Sequence, residues 1–152
     1  MKRVSEKVAL VTGAASGLGR ADALALAREG ALVVVSDLNE EAGQALAKDI
    51  NGVFVRQDVR SEEDWAKAVG LALSRFGRLD VLVNNAGIVV PADIETASLE
   101  QYRLLNAVHA EGTFLGCQAA IKAMKGNPGA TGSIINISSL SAVRGFPGVI
   151  TY

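Results

Sequence analysis

VALVTGAASGLG, residues Val8 to Gly19, joins a short apolar run to three closely spaced glycines. Val8–Thr12 reads as a strand. Gly13, Gly17 and Gly19 then follow as G-x-x-x-G-x-G, a spacing distinct from the commoner G-x-G-x-x-G. Glycine lets the backbone turn sharply and approach a ligand with no Cβ in the way. A helix starting here aims its free N–H groups and positive end back at the turn, where a pyrophosphate fits.

Working outward, strand-like and helix-like segments alternate. The strands after the first are Ala31–Asp37, Val53–Val59, Leu79–Gly87 and Gly132–Ser138. Asp22–Gly30 has helix composition and a glycine stop. Asn39–Ile50 opens on a capping residue with acids in its first turn, and Ser61–Gly77 carries an S-x-x-D cap. Ser98–Gly126 forms one long helix candidate, with Leu99, Tyr102, Leu105, Val108, Gly112, Leu115 and Ala119 near one face. The apolar strands run continuously rather than alternating, as strands buried on both faces do. That pattern predicts an α/β fold, a parallel sheet with helices on each side.

Composition excludes several classes. The chain has 152 residues, which suits one domain spanning 1–152, and 49% hydrophobic content supports a packed core. Fifteen Lys+Arg against sixteen Asp+Glu leave a formal net charge of −1, which gives no support to nucleic-acid binding. Cys117 is the single cysteine, so no internal disulfide forms and a cytoplasmic location is expected. No apolar stretch approaches the ~20 residues of a membrane span, and Val8–Val11 is too short for a signal peptide. No metal-ligand spacing is apparent.

Asp37 closes the second strand. A carboxylate at that point accepts hydrogen bonds from both hydroxyls of an adenosine ribose and repels a 2′-phosphate. Two unit charges ~4 Å apart at an effective dielectric of ~20 interact by about 4 kcal/mol, less after screening. With no Lys or Arg in Gly13–Gly19 to offset it, NAD is expected over NADP.

TGAASGLG, Asp37, the Asp58-Val59 pair, NNAG at Asn84–Gly87, and Ser139 thirteen residues before Tyr152 together resemble the classical short-chain dehydrogenases/reductases. The resemblance runs in register from about Ser5 to Tyr152. It implies that the glycine turn, with Ser16 and Leu18, holds the pyrophosphate and adjoining ribose, and that Asp37 and Leu38 hold the adenosine ribose. Asp58 and Val59 would bracket the adenine. Asn85, Ala86 and Gly87 would pass close to the cofactor, with Asn84 structural, and Val108 would lie near the nicotinamide. Ser139 would hydrogen-bond the substrate oxygen, and Tyr152 would exchange the proton with it and touch the cofactor.

Two departures stand out. Where the family carries an asparagine three residues before a G-x-F stretch, this chain has His109, ahead of Gly112–Phe114. The family asparagine kinks the helix and binds a relay water. A neutral imidazole offers one donor and one acceptor, so His109 is expected to substitute in the relay or to alter it. The family motif Y-x-x-x-K also places a lysine four residues after Tyr152. Family members continue with that helix, further strands and a substrate-covering segment, so this sequence is expected to be the N-terminal part of a longer enzyme. The fifth strand would otherwise be an unprotected edge.

The reading is a doubly wound, Rossmann-like sheet of five parallel strands in the order 3-2-1-4-5. The expected function is NAD-dependent interconversion of a secondary alcohol and a ketone, by a small-molecule enzyme that the resemblance implies is a homotetramer. The alternative is a dinucleotide-binding module without turnover, because the lysine is missing and His109 replaces asparagine. Val89, Val90, Ser141, Arg144 and Phe146 are candidates for the substrate pocket but name no molecule.

Overall fold

A computed structural model describes residues 2–152. Strands β1 (Val8–Thr12), β2 (Leu32–Asp37), β3 (Val53–Arg56), β4 (Val81–Asn84) and β5 (Ser133–Asn136) form one sheet in the order β3-β2-β1-β4-β5. Every pairing is parallel. The expected strand order is therefore present. It places the switch point between β1 and β4, where ligands settle in doubly wound sheets.

The helices are α1 (Gly17–Arg28), α2 (Glu40–Asp49), α3 (Glu62–Phe76), α4 (Leu99–Asn106) and α5 (Gly112–Met124). Because side chains alternate along a strand, the sheet divides two cores. Val8, Leu10, Val34 and Leu82 pack with Trp65 and Ala68 of α3 and Ala120 of α5. Ala9, Val11, Val33, Val35 and Val83 pack with Ala23 of α1 and Leu46 and Ala47 of α2. All five residues of β1 are buried, as a strand covered on both faces must be.

Local signals set the helix ends. The Asn39 side chain accepts from Ala42 N–H, Ser61 accepts from Asp64 N–H, and Ser98 forms a capping box with Gln101. Gly77 ends α3 in the left-handed region at φ 78°. Below the sheet, Asp80 accepts from Val8 N–H and from the Arg78 guanidinium, with Lys7 nearby. Burial works against its charge, but those hydrogen bonds and the Arg78 and Lys7 charges outweigh burial and hold the carboxyl below its ordinary range.

Two helices differ from the sequence reading. α1 begins at Gly17 rather than Asp22, because poor helix propensity at the glycines hides a start that Ser16 initiates. The long helix over Ser98–Gly126 contains a π-helical turn at Ala107–Glu111, between α4 and α5. Its wider turn rotates the faces on either side relative to a 3.6-residue period. Leu105 and Gly112 are buried, whereas Leu99 and Tyr102, placed on the same face by periodicity, are exposed in the part of α4 that precedes the π turn. Ile135 and Ile137, along and just after the edge strand β5, are exposed and border an apolar groove with Leu26 and Val83.

Candidate active site

The glycine turn and the NNAG segment lock together at the carboxyl ends of β1 and β4. Thr12 Oγ1 accepts from Asn85 N–H and Ala86 N–H, both at 3.1 Å. Asn85 Nδ2 returns to Thr12 O at 2.9 Å and Gly13 O at 3.2 Å. Gly13 sits at φ +63°, and a Cβ there would lie 2.8 Å from Ala86 Cα. A Cβ on Gly19 would lie 2.5 Å from Gly13 O. Asn84 points elsewhere, donating to Asn136 across β4–β5.

Beside this junction lies a cavity of about 500 Å³. Its wall includes Gly13, Ser16, Gly17, Leu18, Asp37, Leu38, Asp58, Val59, Asn85, Ala86, Gly87 and Val108. The residues singled out for dinucleotide contact thus meet on one surface, apart from Gly19, which packs beneath the turn, and Tyr152, which lines the neighbouring cavity described next. Gly17 has open space where a Cβ would stand. Ser16 makes no side-chain cap, so the first N–H groups of α1 have no hydroxyl across them. Asp37 does two local jobs: its carboxylate accepts from Ala15 N–H at 2.8 Å and Asn39 N–H at 2.9 Å. Each oxygen keeps further acceptor capacity. Asp58 is gripped by Arg60 through Nε and Nη2, which holds its carboxyl below the usual range despite partial burial.

A second cavity of about 340 Å³ shares Ala86 with the first and is lined by Asn84, Asn106, His109, Thr113, Ser138, Ser139, Ser141, Thr151 and Tyr152. Ser139 Oγ accepts from Ser141 N–H at the start of a short 3₁₀ turn, Leu140–Ala142. The Tyr152 ring meets His109 edge-on, with centroids 5.3 Å apart. Ala92 bridges to Val149, tying the loop after β4 to the segment that carries Tyr152. His109 Nε2 lies 2.8 Å from Ile88 O and 3.2 Å from Ile88 N. One ring nitrogen is therefore occupied by loop backbone, and a Cβ on Gly87 would strike the ring's Cε1 at 2.9 Å. The π turn Ala107–Glu111 is the element that presents His109.

Of the substrate-pocket candidates, only Ser141 lines this cavity; Arg144 stacks over Phe146 instead, 5.7 Å from its ring centroid. Sequence reasoning passed over Thr12, Gln57, Arg60, Ile88, Asn106 and Thr113. Thr12 carried a usable signal, a hydroxyl inside an apolar strand immediately before a glycine. Among the described residues no group of His, Cys, Asp and Glu could hold a metal ion, and no helix is long and apolar enough to cross a membrane.

The doubly wound sheet, with a glycine turn facing a cavity at its switch point, defines a Rossmann-like α/β protein with its cavity where such sheets hold ligands. A family model described as short chain dehydrogenase matches residues 7–152, and the chain belongs to that family. It is 47% identical to trans-4-hydroxycyclohexanecarboxylate dehydrogenase of Sinomonas cyclohexanicum, over 99% of this chain and 61% of the relative. It is 49% identical to 3-beta-hydroxysteroid dehydrogenase of Comamonas testosteroni, over 92% of this chain and 55% of the relative. A cyclopentanol dehydrogenase of Comamonas testosteroni is 39% identical, over 100% and 62%. The chain thus spans little more than half the length of these relatives.

Proposed function

We propose that the protein is an NAD-dependent oxidoreductase that interconverts secondary alcohols on aliphatic rings with their ketones. Three relatives named for a hydroxycyclohexane acid, a hydroxysteroid and cyclopentanol share a ring-borne hydroxyl, which supports this substrate class. The observation that carries the proposal is the placement of Ser139, Tyr152 and His109 around one cavity that adjoins a larger one lined by the glycine turn and Asp37.

The residues present fit a nicotinamide dinucleotide. The uncapped start of α1 and the clear space above Gly17 accept a diphosphate. Asp37 accepts ribose hydroxyls and disfavours a 2′-phosphate, and Arg60 offers little compensation because Asp58 already neutralises it. When bound, the cofactor supplies the hydride acceptor or donor. Ser139 hydrogen-bonds the substrate oxygen and fixes its direction. Tyr152 removes the hydroxyl proton during oxidation and returns it during reduction. His109 holds Ile88 through Nε2, supports the Tyr152 ring, and leaves Nδ1 as the ring atom able to pass a proton.

The test is formation of NADH from cyclopentanol, cyclohexanol and a 3β-hydroxysteroid by the intact protein. Tyr152→Phe should lower kcat by roughly 10²–10⁴ while leaving ADP-ribose binding intact. His109→Phe keeps a ring beside Tyr152 and should lower kcat more than it changes KM. ADP-ribose binding without turnover of any of these alcohols would support the rival reading, a dinucleotide-binding module.

A further inference from the structure

Gln57 follows β3 and is almost wholly buried at 2% exposure, yet its residue forms part of the larger cavity's wall. Its carboxamide is held at one end only. Ser36, fully buried on β2, donates its hydroxyl to Gln57 Oε1. Gln57 Nε2 has no acceptor in hydrogen-bond reach. A buried amide donor left unpaired is unfavourable, and native proteins keep few of them. Turned end for end, the carboxamide would still leave one polar atom without a partner.

Nearby polar groups are already engaged. Asp58 N–H donates to Asp64, the Asp58 carboxylate is taken by Arg60, and Val59 O accepts from Trp65 Nε1. Gln57 Nε2 is thus a buried spare donor on a residue of the cavity wall, which also holds Asp37 and Asp58. The last side-chain torsion of glutamine is soft, so a small turn of the amide carries Nε2 toward a new acceptor while the rotatable Ser36 hydroxyl follows Oε1.

We propose that Gln57 is an adenine-binding residue, whose Nε2–H donates to a ring nitrogen of the cofactor's purine, with Ser36 fixing the carboxamide for that contact. This inference rests on the dinucleotide reading above and adds a donor to it. It also makes the adenosine half, rather than the diphosphate, the partner of the spare group.

Calorimetry on the intact protein tests it with ADP-ribose and, by competition, nicotinamide mononucleotide. Gln57→Met preserves side-chain length and removes the donor. ADP-ribose binding should weaken about tenfold, which corresponds to about 1.4 kcal/mol, while nicotinamide mononucleotide binding stays unchanged. In the unsubstituted protein, the Gln57 side-chain amide resonances should shift and exchange more slowly with ADP-ribose and not with nicotinamide mononucleotide; this reading does not depend on the variant folding. If the parent binds ADP-ribose and neither the variant's affinity nor those resonances change, the adenine contact is wrong and the dinucleotide reading stands. If the parent fails to bind ADP-ribose, both are wrong.

Discussion

Replacing Gly19 by alanine tests the interlock between the glycine turn and NNAG. The change adds one methyl group to α1, where alanine normally stabilises a helix over glycine by about 1 kcal/mol. Here the new Cβ would stand 2.5 Å from Gly13 O and closer still to Asn85 Nδ2. The carbonyl is backbone and cannot swing aside, so an overpacking cost of about 1–3 kcal/mol applies. Displacing Asn85 also breaks its bonds to Thr12 O and Gly13 O, each contributing about 1 kcal/mol. The balance is a loss of roughly 2–4 kcal/mol once the helix gain is subtracted. For a protein of this size that lowers Tm by roughly 4–16 °C, at about 2–4 °C per kcal/mol. Gly70→Ala is the matched control. Gly70 lies inside α3, is exposed, and has nothing within 4 Å of its would-be Cβ. The same methyl there should raise stability by about 0.5–1 kcal/mol. Thermal unfolding followed by circular dichroism reads both. A Gly19→Ala protein as stable as its parent would refute the claim that this contact admits no side chain.

Asp37→Ala removes the carboxylate proposed to receive the adenosine ribose and should narrow or reverse the proposed preference for NAD over NADP, read as the ratio of kcat/KM for the two cofactors; it should also lower Tm, because Ala15 and Asn39 lose their acceptor. An unchanged ratio would remove Asp37 from cofactor selection. Asp80→Asn should cost about 2 kcal/mol at pH 7, in the range for hydrogen bonds to a charged group. The Asp80 carboxyl is held below its unfolded value near 3.9, so its contribution is complete above that pH and disappears as pH falls through the folded value. Urea unfolding of parent and variant should therefore differ fully at pH 7 and 5 and begin to converge as pH falls below ~4. A gap that persists at low pH would show that Asp80 acts through shape, not charge.

Much of this protein was legible in its chain order. Val8–Thr12, Ala31–Asp37 and Leu79–Gly87 announced strands through their apolar runs, because a strand covered on both faces needs apolar side chains in both directions. Capping residues marked α2 and α3 because their side chains satisfy local N–H groups, an interaction within four residues. The glycine spacing and Asp37 pointed to the larger cavity for the same reason: a tight turn and a strand end are local features. Three-dimensional packing decided the rest. The π turn at Ala107–Glu111 left no periodicity signature, since one widened turn only offsets the pattern. The tether between His109 and Ile88 spans 21 residues, the Asn85 bonds to the glycine turn span more than 70, and the Ser36–Gln57 pair joins β2 to the segment just after β3. No window along the chain contains both members of such a pair, so composition and spacing could nominate the residues singly. Only the folded sheet, by bringing the carboxyl ends of β1, β2 and β4 and the segment after β3 to one edge, determined which of them touch and which polar atom was left without a partner.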